Sequence, residues 1–139
     1  MDEMQAGLLR VKLSHMDELN RERCRIADRY RKEINNPFVR LPEVRPGADS
    51  TWHQFVIHTE KRDELREYLE KREIGTLIHY PIPPHLSEAY QYLGKKRGDY
   101  PIAEQYAHEV LSLPMYNGMT EDELSVVIEA INQFGNEGI

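Results

Sequence analysis

The sequence predicts one α+β domain over residues 1–139, a small sheet covered by helices with a long helix at its N-terminus. Three observations lead there. Apolar residues between Asp2 and Ile34 recur at helical spacing with no proline to interrupt them. β-branched and aromatic residues alternate from Thr51 to Thr59. A capping box, Thr120-Glu121-Asp122-Glu123, opens a last amphipathic stripe. At 40% hydrophobic and 30% charged residues, the chain is apolar enough to bury a core and unlike a disordered tail.

In the first helix the stripe runs through Met4, Leu8 and Val11, then Leu9, Leu13 and Met16, then Leu19, Ile26, Tyr30 and Ile34. Ala6, Leu8, Leu9, Val11 and Leu13 leave its first turns little polar surface, so these turns are expected to lie against something besides this domain. Asn35-Asn36-Pro37 stops the helix, because proline disfavours helical geometry in the residue before it. Phe38 to Leu41 is expected as a short edge strand, and Pro42 to Ser50 as a loop. Thr51 to Thr59 reads as the central strand, with His53, Phe55 and Ile57 on one face and Trp52, Val56 and His58 on the other. A helix over Asp63 to Arg72 turns Leu65, Tyr68 and Leu69 inward, with Gly75 just past its end as helix C-termini favour. Thr76 to Tyr80 reads as a second long strand, His85 to Leu93 as a short helix, and Gly94 to Asp99 as a charged loop. Pro101 opens a helix reaching about Val110, and Leu111 to Leu113 is a third strand stopped by Pro114. Leu124, Val127, Ile128, Ile131 and Phe134 line the last helix as far as Gly135.

A net charge of −6 argues against a nucleic-acid partner, which needs a clustered positive surface. The short runs Arg21-Glu22-Arg23 and Lys95-Lys96-Arg97 read as solvated faces. No apolar stretch approaches the roughly 20 residues of a membrane span, and the N-terminus lacks a signal-peptide pattern, so the expected location is cytoplasmic, off the membrane. Cys24 is the single cysteine and reads as a partly buried structural thiol.

Few residues stand in a pattern that carries chemistry. His53 and His58 project to opposite faces of a strand, and His79 and His85 have no carboxylate or cysteine at ligand spacing, so no metal site is expected. His15 and His108 fall on helix surfaces. No serine sits on a glycine-flanked elbow and the glycines are scattered singly, so no catalytic residue is assigned. The exception is Ile74 to Leu86, where an apolar run ends in His79-Tyr80 and is followed by Pro81, Pro83 and Pro84. Proline fixes φ and removes a donor, which holds the segment extended and bars it from continuing as a central strand. On the residues alone, His79 is either a buried, hydrogen-bonded histidine or one that joins Tyr80 at a ligand. Adjacent strand residues face opposite ways unless the proline turn twists both toward one cleft.

With Trp52-His53-Gln54-Phe55-Val56-Ile57 and Leu111-Ser112-Leu113-Pro114, this stretch resembles the C-terminal part of the DegT/DnrJ/StrS family of pyridoxal-phosphate-dependent nucleotide-sugar aminotransferases. The resemblance runs from about Met1 to Phe134. It implies the small C-terminal domain of a fold type I aminotransferase, with the large domain that holds the cofactor outside this chain. Met1 to Leu9 is similar to the motif at the head of that family's interdomain helix. Ile78 to His85 looks most like the subgroup that aminates a dTDP-linked 3-keto-6-deoxyhexose, which implies substrate binding by His79 and Tyr80. The resemblance further implies pyridoxal 5'-phosphate in the parent enzyme, glutamate as amino donor, and a homodimer whose second subunit completes the site. None of Lys12, Lys32, Lys61, Lys71, Lys95 and Lys96 matches the context of the family's Schiff-base lysine, so this chain alone is expected to hold no cofactor and to be inactive. The other reading is a free-standing module that binds a sugar nucleotide or drives oligomerisation without catalysis.

Overall fold

The N-terminal helical stretch is two helices rather than one, α1 (Glu3–Ser14) and α2 (Met16–Glu33), in a computed structural model that describes residues 2–136. Met1, the first residue of the apolar motif, lies outside the described residues. The helix breaks at His15, whose amide closes a tight turn onto the Lys12 carbonyl at 3.1 Å while the Ser14 hydroxyl donates to the Val11 carbonyl at 2.7 Å. A serine that engages the preceding turn competes with the helical ladder. The break divides the apolar stripe. α2 buries Ile26, Ala27 and Tyr30, whereas α1 buries nothing and exposes Met4 (76%), Leu8 (70%) and their neighbours.

The sheet is smaller than the sequence suggests. β1 (Phe55–His58) pairs antiparallel with β2 (Val110–Leu113), in the register Phe55↔Leu113 to His58↔Val110. Phe55 and Ile57 face the core, while Trp52 turns the chain at φ +48° before the strand begins, which removes residues 51–54 from the expected central strand. The two other expected strands shrink to single bridges on either side of the ladder, Arg40↔His58 and Leu77↔Ser112. Pro42 beyond the first and Pro81 beyond the second supply no amide to extend the pairing.

α3 (Arg62–Glu70) ends in a Schellman motif, with the Glu73 amide bonded to Glu70 O and the Ile74 amide to Leu69 O, both at 3.0 Å. The left-handed residue is Glu73 (φ +60°) rather than the expected Gly75, and buried Ile74 seals the turn beside buried Leu69. The expected short helix at His85–Leu93 is two 3₁₀ turns, Pro84–Leu86 and Glu88–Leu93, closed by Gly94 at φ +63°. α4 (Pro101–Glu109) runs directly into β2. α5 (Glu121–Gln133) begins with the capping box, in which Glu123 N donates to Thr120 Oγ1 at 3.2 Å and Thr120 N to Glu123 Oε2 at 2.8 Å. Its whole expected stripe is buried, and Gly135 beyond it lies where an added Cβ would come within 2.6 Å of the Phe38 ring.

Polar side chains on α2 hold the loops to this core. Arg23 and Glu22 depart from the expected solvated face. The Arg23 guanidinium donates to Asn117 Oδ1 (3.1 Å) and to the carbonyls of Trp52 (3.2 Å), His53 (3.1 Å) and Met115 (3.4 Å). Glu22 accepts from Asn117 Nδ2 and Gly118 N, both at 2.8 Å, and the Asn117 bond leads in holding its carboxyl below the usual range. The ends of α2 and α5 cap each other. Buried Asn36 donates to the Ile131 and Phe134 carbonyls at 2.6 and 2.8 Å, while Asn132 donates to the Glu33 carbonyl at 2.8 Å. An orphaned carbonyl at a buried helix end costs about 1–3 kcal/mol. Asn36→Ala is therefore expected to destabilise the fold by about 2–4 kcal/mol and Thr120→Ala by about 1 kcal/mol, read from urea denaturation midpoints.

Candidate functional site

Ser112 shows how the proline-rich segment is docked. It is the polar residue in an otherwise apolar, fully buried strand. Its backbone bridges Leu77, with Ser112 N donating to Leu77 O at 2.7 Å and Leu77 N to Ser112 O at 3.2 Å. Its hydroxyl is hydrogen-bonded to His79 Nδ1 at 2.9 Å. The imidazole is thus held at one nitrogen, and among the described residues Nε2 has no hydrogen-bond partner.

The His79–Tyr80 peptide is cis, and the two rings stand edge to face with centroids 5.5 Å apart. Both side chains line one cleft of about 430 Å³, whose walls come from β1, the proline segment and α4. His79 is half-buried and Tyr80 is 73% exposed, so the phenol stands at the mouth. Val56, Ile82, Pro83, Pro84, Ala103, Ala107 and Val110 supply apolar wall. No Asp, Glu, Lys or Arg lines the cleft, which suits a neutral ring carrying hydroxyls: C–H faces pack on the wall and oxygens meet imidazole and phenol.

Sequence reasoning left out three of the polar groups here, Ser112, His58 and Tyr106. Their positions, 21 to 33 residues from His79 in the chain, come together only through the β1–β2 register. The available signal was Ser112 itself, a hydroxyl amid Leu111, Leu113 and Pro114. His58 lies edge-on to Tyr106 with centroids 4.5 Å apart, and its Nδ1 is buried with no partner among the described residues. Burial first, then the nearby Arg40 charge, lowers the His58 pKa below the usual 6.5, with Glu109 opposing.

The other histidines stand apart. His85 is buried and pairs through Nε2 with Glu104 Oε1 at 3.0 Å, rather than folding back on His79. His53 is exposed, His15 sits at the helix break, and His108 is exposed on α4. Cys24 is half-buried, with its thiol 3.7 Å from the Ser50 carbonyl. Larger depressions exist, one of about 620 Å³ along α2, but its walls are side chains of that single helix, most of them charged and exposed. No lysine lines the His79–Tyr80 cleft. Lys12, Lys32, Lys71, Lys95 and Lys96 are exposed, and Lys61 sits over the Phe38 ring at 4.4 Å. The described residues therefore do not fit pyridoxal phosphate as an internal Schiff base.

Residues 1–132 match the DegT/DnrJ/EryC1/StrS aminotransferase family. The chain is 46% identical over 132 residues to the erythromycin biosynthesis sensory transduction protein EryC1 of Saccharopolyspora erythraea, covering 94% of this chain and 36% of that protein. It is 42% identical over 135 residues to the dTDP-3-amino-3,6-dideoxy-alpha-D-galactopyranose transaminase of Aneurinibacillus thermoaerophilus, covering 97% of this chain and 37% of that one. Among solved structures, DesV of S. venezuelae in complex with a ketimine intermediate superposes with a TM-score of 0.94 at 41% identity, covering 100% of this chain and 38% of that chain. The chain thus spans a little over a third of the length of the relatives it matches.

His58 gives a pH signature. Its folded pKa is lowered, so the neutral imidazole is the form the fold favours, and its contribution is fully present above the unfolded value near 6.5 and lost as pH falls through the folded value. Unfolding free energy is expected to decline from pH 7 toward pH 5, and His58→Phe to flatten that decline, in urea titrations run at stepped pH.

Proposed function

Because the chain belongs to the DegT/DnrJ/EryC1/StrS aminotransferase family, we propose that it is the C-terminal segment of a pyridoxal-phosphate-dependent enzyme that aminates a sugar nucleotide. The substrate class is a dTDP-linked keto-deoxyhexose, the donor is glutamate, and the working assembly is a homodimer. In this reading the large domain, outside the described residues, supplies the Schiff-base lysine and the pocket for the cofactor.

The supporting observation is the uncharged cleft lined by both His79 and Tyr80. His79, held at Nδ1 by Ser112, has its second ring nitrogen available for a sugar oxygen, and the exposed Tyr80 phenol can close over the same ring from the mouth. Hydrogen bonds of this kind orient the hexose so that one carbonyl carbon faces the amine-bearing cofactor, and orientation is what selects the carbon to be aminated. The name of the transaminase relative, which concerns a 3-amino sugar, supports a 3-keto hexose. The exposed apolar face of α1 supports a covering domain, since apolar patches of that kind mark interaction surfaces.

The test joins residues 2–136 to the preceding part of the Aneurinibacillus thermoaerophilus transaminase and assays amination of a dTDP-linked keto-deoxyhexose by mass spectrometry. An aminated product is expected. His79→Ala is expected to raise KM for the sugar nucleotide roughly tenfold or more, and Tyr80→Phe severalfold, with KM for glutamate unchanged, consistent with about 0.5–1.5 kcal/mol per hydrogen bond plus the unpaired group left behind. A folded chimera that aminates nothing, or one indifferent to both substitutions, would overturn the reading.

A further inference from the structure

Ser112 reaches the cleft only through His79. It is 6% exposed and does not itself line the cleft, although Val56, the residue opposite it across the ladder, does. On its other side Ser112 is bridged to Leu77, and both of its backbone groups are used there. Ile78 packs against the core, so Leu77 and His79 share the outer face, and His79 is the diagonal neighbour of Ser112 across that bridge. This register carries Nδ1 to 2.9 Å from the hydroxyl oxygen.

Two arrangements of hydrogen fit that distance, and they differ in what they leave unpaired. If Nδ1–H donated to Oγ, the hydroxyl hydrogen would need an acceptor of its own. Among the described residues Oγ has no hydrogen-bond partner other than His79. A buried hydroxyl hydrogen with no acceptor is disfavoured. If instead Oγ–H donates to Nδ1, the hydroxyl uses its hydrogen, Nδ1 uses its lone pair, and the single proton of the neutral ring sits on Nε2. The second arrangement leaves no buried polar atom of this pair unsatisfied.

We infer that Ser112 is a positioning residue that fixes His79 as the Nε2–H tautomer, so that the cleft presents a hydrogen-bond donor to its ligand. The ligand atom that meets this donor is an acceptor, which admits carbonyl, hydroxyl or phosphoryl oxygen and excludes an ammonium group. That the ligand is a keto sugar nucleotide rests on the transaminase reading, whereas the tautomer rests on the Ser112–His79 hydrogen bond. A donating hydroxyl also accounts for a serine in a strand whose other residues, Val110, Leu111 and Leu113, are apolar.

Long-range proton–nitrogen correlation spectra of the 15N-labelled chain, recorded above the usual imidazole titration range, read the tautomer directly, with His79→Gln identifying the ring. The parent is expected to show Nδ1 as the bare nitrogen and Nε2 as the protonated one. Ser112→Ala is expected to shift Nδ1 and mix the tautomers, and Ser112→Thr, which keeps the hydroxyl, to restore the parent pattern. In the chimera described above, Ser112→Ala is expected to raise KM for the sugar nucleotide roughly fivefold, with kcat and KM for glutamate unchanged and Ser112→Thr restoring the lower KM. A protonated Nδ1 in the parent spectrum overturns the inference without any variant, and so does a folded Ser112→Ala chain whose His79 spectrum matches the parent. A Ser112→Ala chimera with the parent KM overturns the positioning role. A chimera that aminates nothing overturns the transaminase reading and leaves the tautomer to the spectra.

Discussion

The guanidinium of Arg23 is the constraint from which the arrangement follows. It grips the chain just before β1, at Trp52 and His53, and just after β2, at Met115 and Asn117. Those contacts tie the Phe55↔Leu113 end of the ladder to α2. A strand pair of only four residues has little hydrophobic pattern with which to fix its own register, and a slip by one residue would send every side chain to the other face. Ser112 would then lose His79 and the site would come apart. A charge-assisted donor is suited to this role because such bonds are stronger and more directional than neutral ones, and the planar fork can serve several carbonyls at once.

The opposite end of the ladder carries the cleft, and the division of labour is physical. Polar groups that hold the fold together gather along α2 and its facing loops, while the cleft walls are apolar and without formal charge. The exceptions, His79 held by Ser112 and His58 held edge-on by Tyr106, each keep one ring nitrogen free of any partner among the described residues. Supporting a side chain at one atom while leaving another unsatisfied is how a site is positioned without being blocked.

Much of this architecture is legible in the sequence, and the parts that are not share a cause. α3, α4 and α5 follow from periodicity and capping, and the Thr120–Glu123 box forms as written. The break at His15 is not legible because the residues on both sides keep helical periodicity, and only a local serine–carbonyl bond interrupts it. The turn that closes α3 puts Glu73 rather than Gly75 in the left-handed region because burial of Ile74 fixes it, and a nearby glycine need not take that place. The strand propensity of Ile74 to Tyr80 is real, yet pairing needs a neighbour with free amides, and one bridge is all the geometry permits. At the site, the prolines drew attention to His79 and Tyr80, whereas Ser112, His58 and Tyr106 belong to it through tertiary register, which no local pattern encodes.

The same prolines bear on a matter unrelated to ligands. A two-stranded ladder flanked by single bridges has two nearly open edges, and an open edge is a template on which another chain can grow. At Leu77 both backbone groups are already bound to Ser112, and Pro81, Pro83 and Pro84 then carry the chain away with no amide to offer. The segment that walls the cleft therefore also guards the sheet against stacking with its own kind, so that replacing these prolines for any purpose would trade colloidal solubility for flexibility.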